Sequence, residues 1–377
     1  MKALFIVFHG FEEANGISKK IQYQIKALKE CGIDARTCYY DVEKDGSCKW
    51  KIDDKVLINL GKTIFSRIKK RFYYSPIFKY ANNEKIDLVY IRSLHNANPF
   101  TIHLVKKLKE GGAKVVMEIP TYPYDQEYAT PKMKLNLAID RCFRNRMAKK
   151  LDAIVTFSNQ KTIFGQKTIR ISNGIDFSAI KMKEHINDTS SSLHLIGVAE
   201  IHYWHGYDRI VQGLVKYYKS ESSDYKVYLH IVGNFSGKRE EEEIMTPIRE
   251  NHLEKYVIFH GAKHGKELDE LFELSDVGIG SLGRHRSGIT HIRTLKNREY
   301  AVRGIPFIYS ESDSDFDNRP YILKEPADES PINIEDIIKF YHNQKLTPNE
   351  IRNSVKNLSW KNQMQKVIDS IINNDFN

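Results

Sequence analysis

The sequence has few cysteines and no long hydrophobic run. Four cysteines occur in 377 residues and none forms a CxxC pair, which excludes the common zinc-binding spacings and a disulfide framework. No window approaches the roughly 18 consecutive apolar residues of a membrane-spanning helix, and the first apolar run is too short for a signal peptide. We therefore expect a reducing compartment and a chain that is cytoplasmic, or peripheral on the inner face of the cell membrane.

The P-loop pattern GxxxxGK[ST] is also absent, which counts against a P-loop NTPase. What the chain does have is an excess of basic residues, 58 against 48 acidic ones, for a net charge of +10. Such a balance favours anionic partners. Nucleotide phosphates, an anionic bilayer, nucleic acid and a generally solvated basic surface all remain open at this point.

Short apolar runs alternate with longer amphipathic stretches along the chain, which is typical of parallel strands joined by helices. This pattern predicts an α/β fold with two doubly wound domains and a cleft between them. We predict an N-terminal domain over 1–172, a polar linker over 173–192, a second domain over 193–350 and terminal helices over 351–377. The predicted strands are 3–8, 34–40, 86–92, 113–119, 152–158 and 167–172 in the first domain, and 193–200, 226–233, 256–261, 276–282 and 305–310 in the second.

Basic residues are concentrated in the loop after strand 276–282. Because ligands of open α/β sheets bind at the carboxyl ends of the strands, this loop predicts a phosphate site. One acid, Glu299, lies three residues after Lys296 on the same helical face, where it could bind the hydroxyls of a ribose; the alternative is a Lys–Glu surface pair. The basic residues are Arg284, His285, Arg286, His291, Arg293 and Lys296.

The loop after strand 113–119 is rich in hydroxyls and acids. Tyrosines that stack on sugar faces and carboxylates that bind hydroxyls predict a carbohydrate pocket; the alternative is a proline-rich loop packed by its own tyrosines. Its residues include Glu118, Thr121, Tyr122, Tyr124, Asp125 and Glu127. Gly16, before the first helix, could let a phosphate approach the backbone, or it could be a turn glycine.

We expect no metal site. His202 and His205 have no third ligand at zinc spacing, and the acids Asp313 and Asp315 are interpreted as part of a solvated loop. In segment 62–80, Ile64, Ile68 and Phe72 recur every four residues among basic side chains, which fits a helix in a bilayer interface or a core-packed helix.

Several of these segments resemble the retaining GT-B glycosyltransferases, specifically the glycosyltransferase family 4 type of bacterial surface-polysaccharide synthesis. The resemblance covers essentially the whole chain. ISNGID (171–176) resembles the interdomain NGVD segment, and WHGYDRIVQGL (204–214) resembles the KGxxxLIxAF helix start. The stretch 257–282 resembles VxFxGxVxxxELxxLYxxADVxVxPS, and KNREYAVRGIPFIYS (296–310) takes the place of LEAMAxGxPVI.

The resemblance implies a GT-B fold and assigns roles by position. Glu299 matches the second glutamate of the E-x7-E signature, a ribose contact; Gly16 matches the glycine loop at the donor diphosphate; Gly261 to Lys263 match the segment near the base. Three positions depart from the pattern: His291 replaces the first glutamate, His205 replaces a lysine, and Glu200 stands near the place of an arginine. Lys296, Arg284 or Arg286 would then neutralise the diphosphate.

These observations predict a retaining, metal-independent glycosyltransferase without a cofactor, which takes a nucleotide-diphosphate sugar and a saccharide or lipid-linked acceptor in capsular, exopolysaccharide or lipopolysaccharide synthesis. The alternatives are a non-catalytic nucleic-acid or polysaccharide binding protein, although no nucleic-acid module is present, and a GT-B sugar-nucleotide epimerase. The predicted residues are Glu118 and Asp125 for catalysis; Tyr122, Tyr124 and Glu127 for the acceptor; and Gly16, Trp204, His205, Gly261, Lys263, Arg286, Lys296 and Glu299 for the donor.

Overall fold

The computed structural model describes residues 1–12, 16–93, 97–125, 128, 130–220 and 225–373. The chain divides into two compact units. Unit 1 comprises residues 1–172 and 360–377, and unit 2 comprises residues 173–359. The segment 173–192, expected to be a linker, is thus part of unit 2, where Lys183 Nζ donates to the carbonyl oxygen of Glu273 at 2.8 Å.

Unit 1 is built on one mixed sheet. Its strands are β1 (Lys2–Val7), β2 (Asp34–Val42), β3 (Cys48–Ile52), β4 (Lys55–Gly61), β5 (Leu88–Arg92), β6 (Lys114–Ile119), β7 (Ala153–Thr156), β8 (Thr162–Ile163) and β9 (Gln166–Arg170). Their order is β4-β3-β2-β1-β5-β6-β7-β9-β8. The central strands from β2 to β9 are parallel, and β3, β4 and β8 add antiparallel pairings at the two edges.

The helices of unit 1 are α1 (Gly16–Glu30), α2 (Ile64–Lys69), α3 (Ser75–Asn83), α4 (Pro99–Glu110), α5 (Pro131–Ala148) and α12 (Trp360–Ile372). They cover both faces of the sheet. Leu4 and Ile6 of β1 belong to one buried cluster, and the alternate residues Phe5 and Val7 belong to another, together with Trp360 of α12. Burial on both faces explains why the parallel strands are continuous apolar runs.

The hairpin β3–β4 was not among the predicted strands. Its residues alternate between the core and the surface, with Cys48, Trp50 and Ile52 buried and the lysines between them only half-buried. Lys51 Nζ lies 2.7 Å from a carboxylate oxygen of Asp41 on β2. Because every second residue of this strand is polar, a search for continuous apolar runs does not detect it.

Segment 62–80 is not one helix, in contrast to the prediction. It forms α2 and α3 with a break between them. Pro76 lies in the first turn of α3, a position where its missing N–H costs nothing and where it ends a preceding helix. The core-packed alternative is also wrong for α2, because 81% of Ile64 and 68% of Phe65 are exposed.

Unit 2 contains a sheet of parallel pairings, with strand order β12-β11-β10-β13-β14-β15. Its strands are β10 (Ser192–Val198), β11 (Lys226–Val232), β12 (Val257–Phe259), β13 (Val277–Ile279), β14 (Phe307–Tyr309) and β15 (Ile322–Lys324). Its helices are α6 (Tyr207–Lys219), α7 (Lys238–Glu250), α8 (Lys266–Leu274), α9 (Leu295–Arg303), α10 (Ile334–His342) and α11 (Pro348–Ser354). None of the helices formed by the described residues of either unit has both the length and the apolar character of a membrane-spanning segment.

Three histidines form a hydrogen-bonded chain across the sheet of unit 2. His194 Nδ1 lies 2.9 Å from His230 Nε2, and His230 Nδ1 lies 2.9 Å from His260 Nε2. Burial, with a smaller contribution from the two neighbouring histidines, lowers the pKa of His230 from an ordinary value of 6.5 to about 4. The folded unit therefore holds the central imidazole neutral.

This chain of histidines predicts a loss of stability in mild acid. Between pH 6.5 and about 4 the unfolded chain binds a proton that folded His230 does not, so the stabilisation is complete above pH 6.5 and is lost as the pH falls towards 4. Over this range the unfolding free energy of the parent protein should fall by on the order of 3 kcal/mol more than that of the His230→Gln variant. Urea unfolding followed by circular dichroism measures it, with His264→Gln, an exposed histidine of unit 2, as the control. An equal pH dependence of parent and His230→Gln would contradict this expectation.

Candidate active site

The carboxyl ends of β10, β13 and β14 are neighbours in the sheet of unit 2. They lead into a 3₁₀ turn at Tyr203–His205, a second 3₁₀ turn at Arg284–Ser287, and the loop that begins at Ser310. Because the strands are parallel, these segments converge at one edge of the sheet, which is where open α/β sheets bind ligands. The predicted residues Trp204, His205, Arg286 and Lys296 lie on these segments or on the adjacent first turn of α9.

Gly206 fixes the distance between the first two segments. It has a φ of +66°, and a Cβ there would lie 2.5 Å from the backbone nitrogen of Gly283 and 2.6 Å from the carbonyl carbon of Leu282. The N–H of Leu282 donates to the carbonyl oxygen of His205 at 2.8 Å. Only glycine combines this φ with so close an approach.

Arginines stabilise the same junction. Arg286 donates to both carboxylate oxygens of Asp208, at 2.9 and 2.7 Å, to the carbonyl oxygen of Tyr203 at 2.8 Å, and to Glu329. Its bonds to Asp208 raise the pKa of Arg286, and those to Glu329 add to this. Arg286 was predicted to bind the donor; two carboxylates and a carbonyl already engage its guanidinium, and the donor role stays a prediction.

Lys296 and Glu311 are the charged residues at the centre of this edge. Lys296 Nζ lies 3.5 Å from the hydroxyl of Tyr207. Glu311 is 2% exposed, and neither of its carboxylate oxygens has a hydrogen-bond partner among the described residues. A buried carboxyl group without a partner is costly, so its presence at a strand end points to a ligand that supplies the missing bonds.

The electrostatics of these two side chains are linked. Burial lowers the pKa of Lys296 to about 7, with Glu311 opposing the effect and Arg284 reinforcing it. Burial likewise raises the pKa of Glu311 to about 7, with Asp313 adding to the effect and Lys296 opposing it. In the ligand-free site both groups therefore titrate near neutral pH, where a bound anion would favour the ammonium form of Lys296.

His205 lies beside this pair as a neutral ring. Burial lowers its pKa well below the ordinary value, and the nearby charges of Lys296, His202 and Arg284 lower it further. Its Nδ1 accepts a hydrogen bond from the backbone N–H of His202 at 3.0 Å, so the proton of the neutral ring resides on Nε2. His205 can thus donate one hydrogen bond without carrying a charge.

Trp204 supports the turn by stacking. Its indole lies parallel to the His202 ring at 4.2 Å, and the Arg284 guanidinium lies 5.3 Å from its ring centroid. Trp204 and Arg284 are thus in contact, and Arg284 and Lys296 are near enough to His205 to affect its pKa; their role in donor binding stays a prediction. The sequence analysis could also have identified Glu311 as a candidate site residue, because this acid follows strand β14 by two residues.

The acids after Glu311 contradict the prediction of a solvated loop. Asp313 is fully buried, and its carboxylate accepts from Arg298 of α9 at 2.6 and 3.2 Å. Asp315 pairs with Arg298 and with Arg293. These pairs attach the loop to α9, so the acids are structural where the sequence suggested exposure.

Glu299 lies on the same helix as Lys296 but is bound elsewhere. Its Oε1 accepts from Arg303 Nη2 at 2.9 Å and from Arg303 Nε at 3.1 Å, and Arg303 also pairs with Asp269 of α8 at 2.7 Å. The Lys296–Glu299 surface pair considered above is therefore replaced by a pair with Arg303. The ribose contact of Glu299 stays a prediction, and 29% of its side chain is exposed.

The other donor residues predicted in unit 2 lie apart from this cluster. The carbonyl oxygen of Gly261 accepts from the N–H of Gly233 at 2.8 Å, and Lys263 Nζ pairs with Glu267 at 2.7 Å. Their contact with a nucleotide base stays a prediction.

GIGSLG (278–283) matches the spacing GxGxxG of dinucleotide-binding folds. A Cβ at Gly278 would lie 2.6 Å from the ring of Tyr300, and one at Gly280 would lie 2.8 Å from Cβ of Tyr309. The run ends in a 3₁₀ turn rather than a helix, so these glycines serve packing and do not form a dinucleotide fingerprint.

In unit 1, Glu118 on β6 is fully buried beside two hydrogen-bond donors and two cations, although its Oε1 accepts no hydrogen bond from the described residues. Its Oε2 accepts from Gln24 and Tyr90, each at 2.6 Å, and its Oε1 lies 3.3 Å from both Lys20 Nζ and Arg92 Nε. Burial alone would raise the pKa of Glu118, but the two cations and two donors hold it below the ordinary value. A catalytic role would require Glu118 to exchange these partners; that role stays a prediction.

The other residues predicted for unit 1 differ in their burial and in their hydrogen-bond and ion-pair partners. Tyr124 is buried and donates to Asp140 at 2.6 Å, Asp125 pairs with Arg141 and Arg144 at 2.7 Å each, and Tyr122 packs edge-on against Phe164. This pattern agrees with the alternative of a loop packed by its own tyrosines as far as Tyr122 and Tyr124 are concerned. Glu127 lies outside the described residues. A Cβ at Gly16 would meet nothing within 4 Å, so packing does not require glycine at the start of α1.

The Gly206 junction yields a stability prediction. Gly206→Ala should destabilise unit 2 by more than the roughly 1–2 kcal/mol of a left-handed alanine, because its Cβ also clashes with the backbone of Leu282 and Gly283. Gly32→Ala is the control, since Gly32 lies just after the end of α1 with a φ of +80° and has open space around the added Cβ. Thermal unfolding of both variants measures the difference; equal melting temperatures would contradict the close approach.

No protein-family model matches the chain, and no match is found among curated proteins. Solved structures do match over its full length. Sucrose-phosphate synthase from Thermosynechococcus elongatus has a TM-score of 0.67 at 12% identity, covering 100% of both chains. A glycosyltransferase from Rickettsia africae has a TM-score of 0.65 at 14% identity, covering 99% of both, and HepE of Anabaena in complex with UDP has a TM-score of 0.59 at 14% identity, covering 99% of this chain and 100% of HepE. At this level of identity the similarity shows the fold alone: the chain has the GT-B fold, with two parallel-sheet domains, as the sequence predicted.

Proposed function

We propose that the chain is a glycosyltransferase that transfers a sugar from a nucleotide-diphosphate donor to a saccharide or lipid-linked acceptor, with retention of anomeric configuration. The reaction proposed is front-face transfer without a metal ion, in the synthesis of a bacterial surface polysaccharide. Retention and the pathway rest on the resemblance of the second-domain motifs to the glycosyltransferase family 4 type.

The observation that carries the proposal is the unpaired carboxyl group of Glu311 beside Lys296 and neutral His205. Glu311 is buried without a hydrogen-bond partner among the described residues, and Lys296 titrates near neutral pH because its ammonium is buried. These three side chains are unfavourably placed when nothing is bound between them. They become favourable around a ligand that combines hydroxyl groups with phosphates. A sugar nucleotide has both.

The chemistry assigned to each group follows from its charge. Glycosyl transfer leaves negative charge on the departing diphosphate, and donors fixed in a site of low dielectric stabilise such charge strongly. Lys296 would supply a positive charge and His205 a neutral Nε2–H donor. Glu311 would accept hydrogen bonds from hydroxyl groups of the donor sugar.

Similar structures support the nature of the donor. HepE was solved with UDP, with UDP and glucose, and with UDP-glucose, and the catalytic domain of starch synthase IV from Arabidopsis thaliana was solved with ADP and acarbose. We infer from these complexes that a nucleoside diphosphate is the group to test first.

The acceptor is proposed to bind unit 1. A cavity of about 550 Å³ lies at the carboxyl ends of β1 and β2, lined by His9, Tyr40, Asp41 and Lys70 among others. Its volume is within the usual range of small-molecule sites, and its polar lining suits a saccharide. The proposal includes a cytoplasmic enzyme that acts peripherally at the inner face of the membrane.

Two measurements test the proposal. Calorimetric titration with UDP, GDP and dTDP should give micromolar binding of at least one of them, and purified protein should slowly hydrolyse the corresponding sugar nucleotide. Binding of oligonucleotides or polysaccharide in the absence of any nucleotide binding would contradict the proposal.

Binding of the nucleoside diphosphate should depend on pH through Lys296. The anion binds the ammonium form, so affinity should fall as the pH rises through about 7, the pKa of Lys296 in the ligand-free site. Lys296→Arg, which stays charged, should bind with a flatter pH profile, and Lys296→Gln should bind weakly at every pH. Arg284, His205 and Glu311 face the same ammonium and are unchanged in both variants. A profile of Lys296→Arg that matches the parent protein would remove Lys296 from the site.

Glu299 provides a second test of the donor site. If its carboxylate accepts from both ribose hydroxyls, at roughly 1.5–3 kcal/mol per charge-assisted bond, then Glu299→Ala should weaken donor binding by about 10²- to 10⁴-fold. Asp269→Asn is the matched control, because Asp269 shares Arg303 with Glu299. If both variants weaken binding equally in calorimetry, Glu299 acts only through Arg303.

A further inference from the structure

Helix α2 of unit 1 buries a serine and exposes its apolar side chains. Ser66 is buried, and its hydroxyl donates to the carbonyl oxygen of Leu60 at 2.7 Å. Ile64, Phe65 and Ile68 are 81%, 68% and 47% exposed. A helix on the surface of a water-exposed protein has the opposite arrangement, so the apolar side of α2 requires a partner.

The apolar side of α2 is part of a larger exposed surface. Phe72, just after α2, lies 5.7 Å from Phe100 at the start of α4. Arg71 donates to Asn136 of α5 at 2.9 Å, which ties the same segment to a third helix. A cavity of about 500 Å³ lies between Phe72, Phe100 and Ile139. We call the exposed side chains of Ile64, Phe65, Ile68, Phe72, Phe100 and Ile139 the apolar surface of unit 1.

The charged residues of the segment that contains α2 are all basic. From residue 62 to residue 83 the sequence contains six lysines and arginines and no acid. Some of these are engaged: Lys62 pairs with Asp45 at 2.7 Å, and Lys70 Nζ lies 4.8 Å from the ring centroid of Tyr40. Arg67 and Lys69, on α2 itself, flank the exposed apolar side chains.

Exposed apolar side chains next to positive charges are suited to binding a deformable anionic surface. Ile64 and Phe65 project from a short helix rather than lining a groove, so a folded partner would need a matching pocket, whereas a lipid headgroup layer deforms around them. Amphipathic segments with basic residues on the polar side and aromatic or aliphatic residues on the other bind bilayer interfaces in this way.

We propose that α2 and the apolar surface of unit 1 form a docking site for an anionic lipid bilayer, with Ile64 and Phe65 inserted at the headgroup boundary and Arg67 and Lys69 at the lipid phosphates. The docking site rests on the peripheral location included in the proposed function, but its test needs neither donor nor acceptor, so its failure is distinguishable from failure of the glycosyltransferase activity.

Co-sedimentation of the full chain with vesicles tests the docking site. Vesicles of phosphatidylcholine with about one third phosphatidylglycerol should bind the protein, and binding should weaken at high salt because the charges are screened. Arg67→Gln with Lys69→Gln should weaken binding by about 25-fold, at roughly fivefold per charge. Ile64→Gln with Phe65→Gln should weaken it by about tenfold or more, because two exposed apolar side chains lose their burial in lipid.

Glutamine keeps the helical propensity of α2, and circular dichroism verifies folding of both variants. The matched control is Ile186→Gln with Lys266→Gln, an exposed apolar and an exposed basic residue of unit 2, which should bind vesicles like the parent protein. Equal binding of parent and variants, or equal binding to pure phosphatidylcholine, would overturn the proposal. A dimer in sedimentation velocity that disappears in Ile64→Gln with Phe65→Gln would overturn it too, because the surface would then cover a second copy of the chain.

Discussion

The close approach of Gly206 to the backbone of Leu282 and Gly283 is the constraint on which the candidate active site depends. It holds the turn after β10 against the turn after β13, and α6 starts from it. Arg286 and Arg209 bind across the same junction, Arg209 through Ser330 at 2.8 Å and the carbonyl oxygen of Leu282. With the loops fixed in this way, His205 is buried and Lys296 is half-buried close to it, and desolvation lowers the pKa of both side chains.

Two buried glutamates, one in each unit, differ in the groups that surround their carboxylates and in the direction of their pKa shifts. Glu118 has two cations and two neutral donors, which keep it ionised despite complete burial. Glu311 is buried to the same degree, lacks hydrogen-bond partners for its side chain among the described residues, and has a raised pKa. The carboxylate of Glu118 is thus held mainly by groups of unit 1 itself, whereas in the proposed function a bound ligand supplies the hydrogen bonds of Glu311. Both glutamates lie at carboxyl ends of parallel strands, so position alone does not distinguish them.

The sequence predicted the inner parallel strands well because most of them are continuous apolar runs, and it located the basic edge of unit 2 because strand ends of parallel sheets converge. The short edge strands β8 and β15 were not predicted. It missed the hairpin β3–β4, whose outward lysines interrupt the apolar pattern. It also interpreted the acids after β14 as solvated, since their partner Arg298 lies 15 residues away from Asp313 and local spacing carries no information on such pairing. For the same reason the partners of Glu118 on α1 and β5 could not be read from its own segment.

Unit 1 is completed by the last helix of the chain, whereas unit 2 is continuous in sequence. Trp360, Met364, Val367 and Ile368 of α12 belong to the buried cluster that includes Phe5 and Val7 of β1. During synthesis on the ribosome, unit 2 therefore emerges whole before unit 1 has its full core. The N-terminal half must wait, with part of one sheet face uncovered, until α12 has been synthesised, which reverses the usual order in which domains mature.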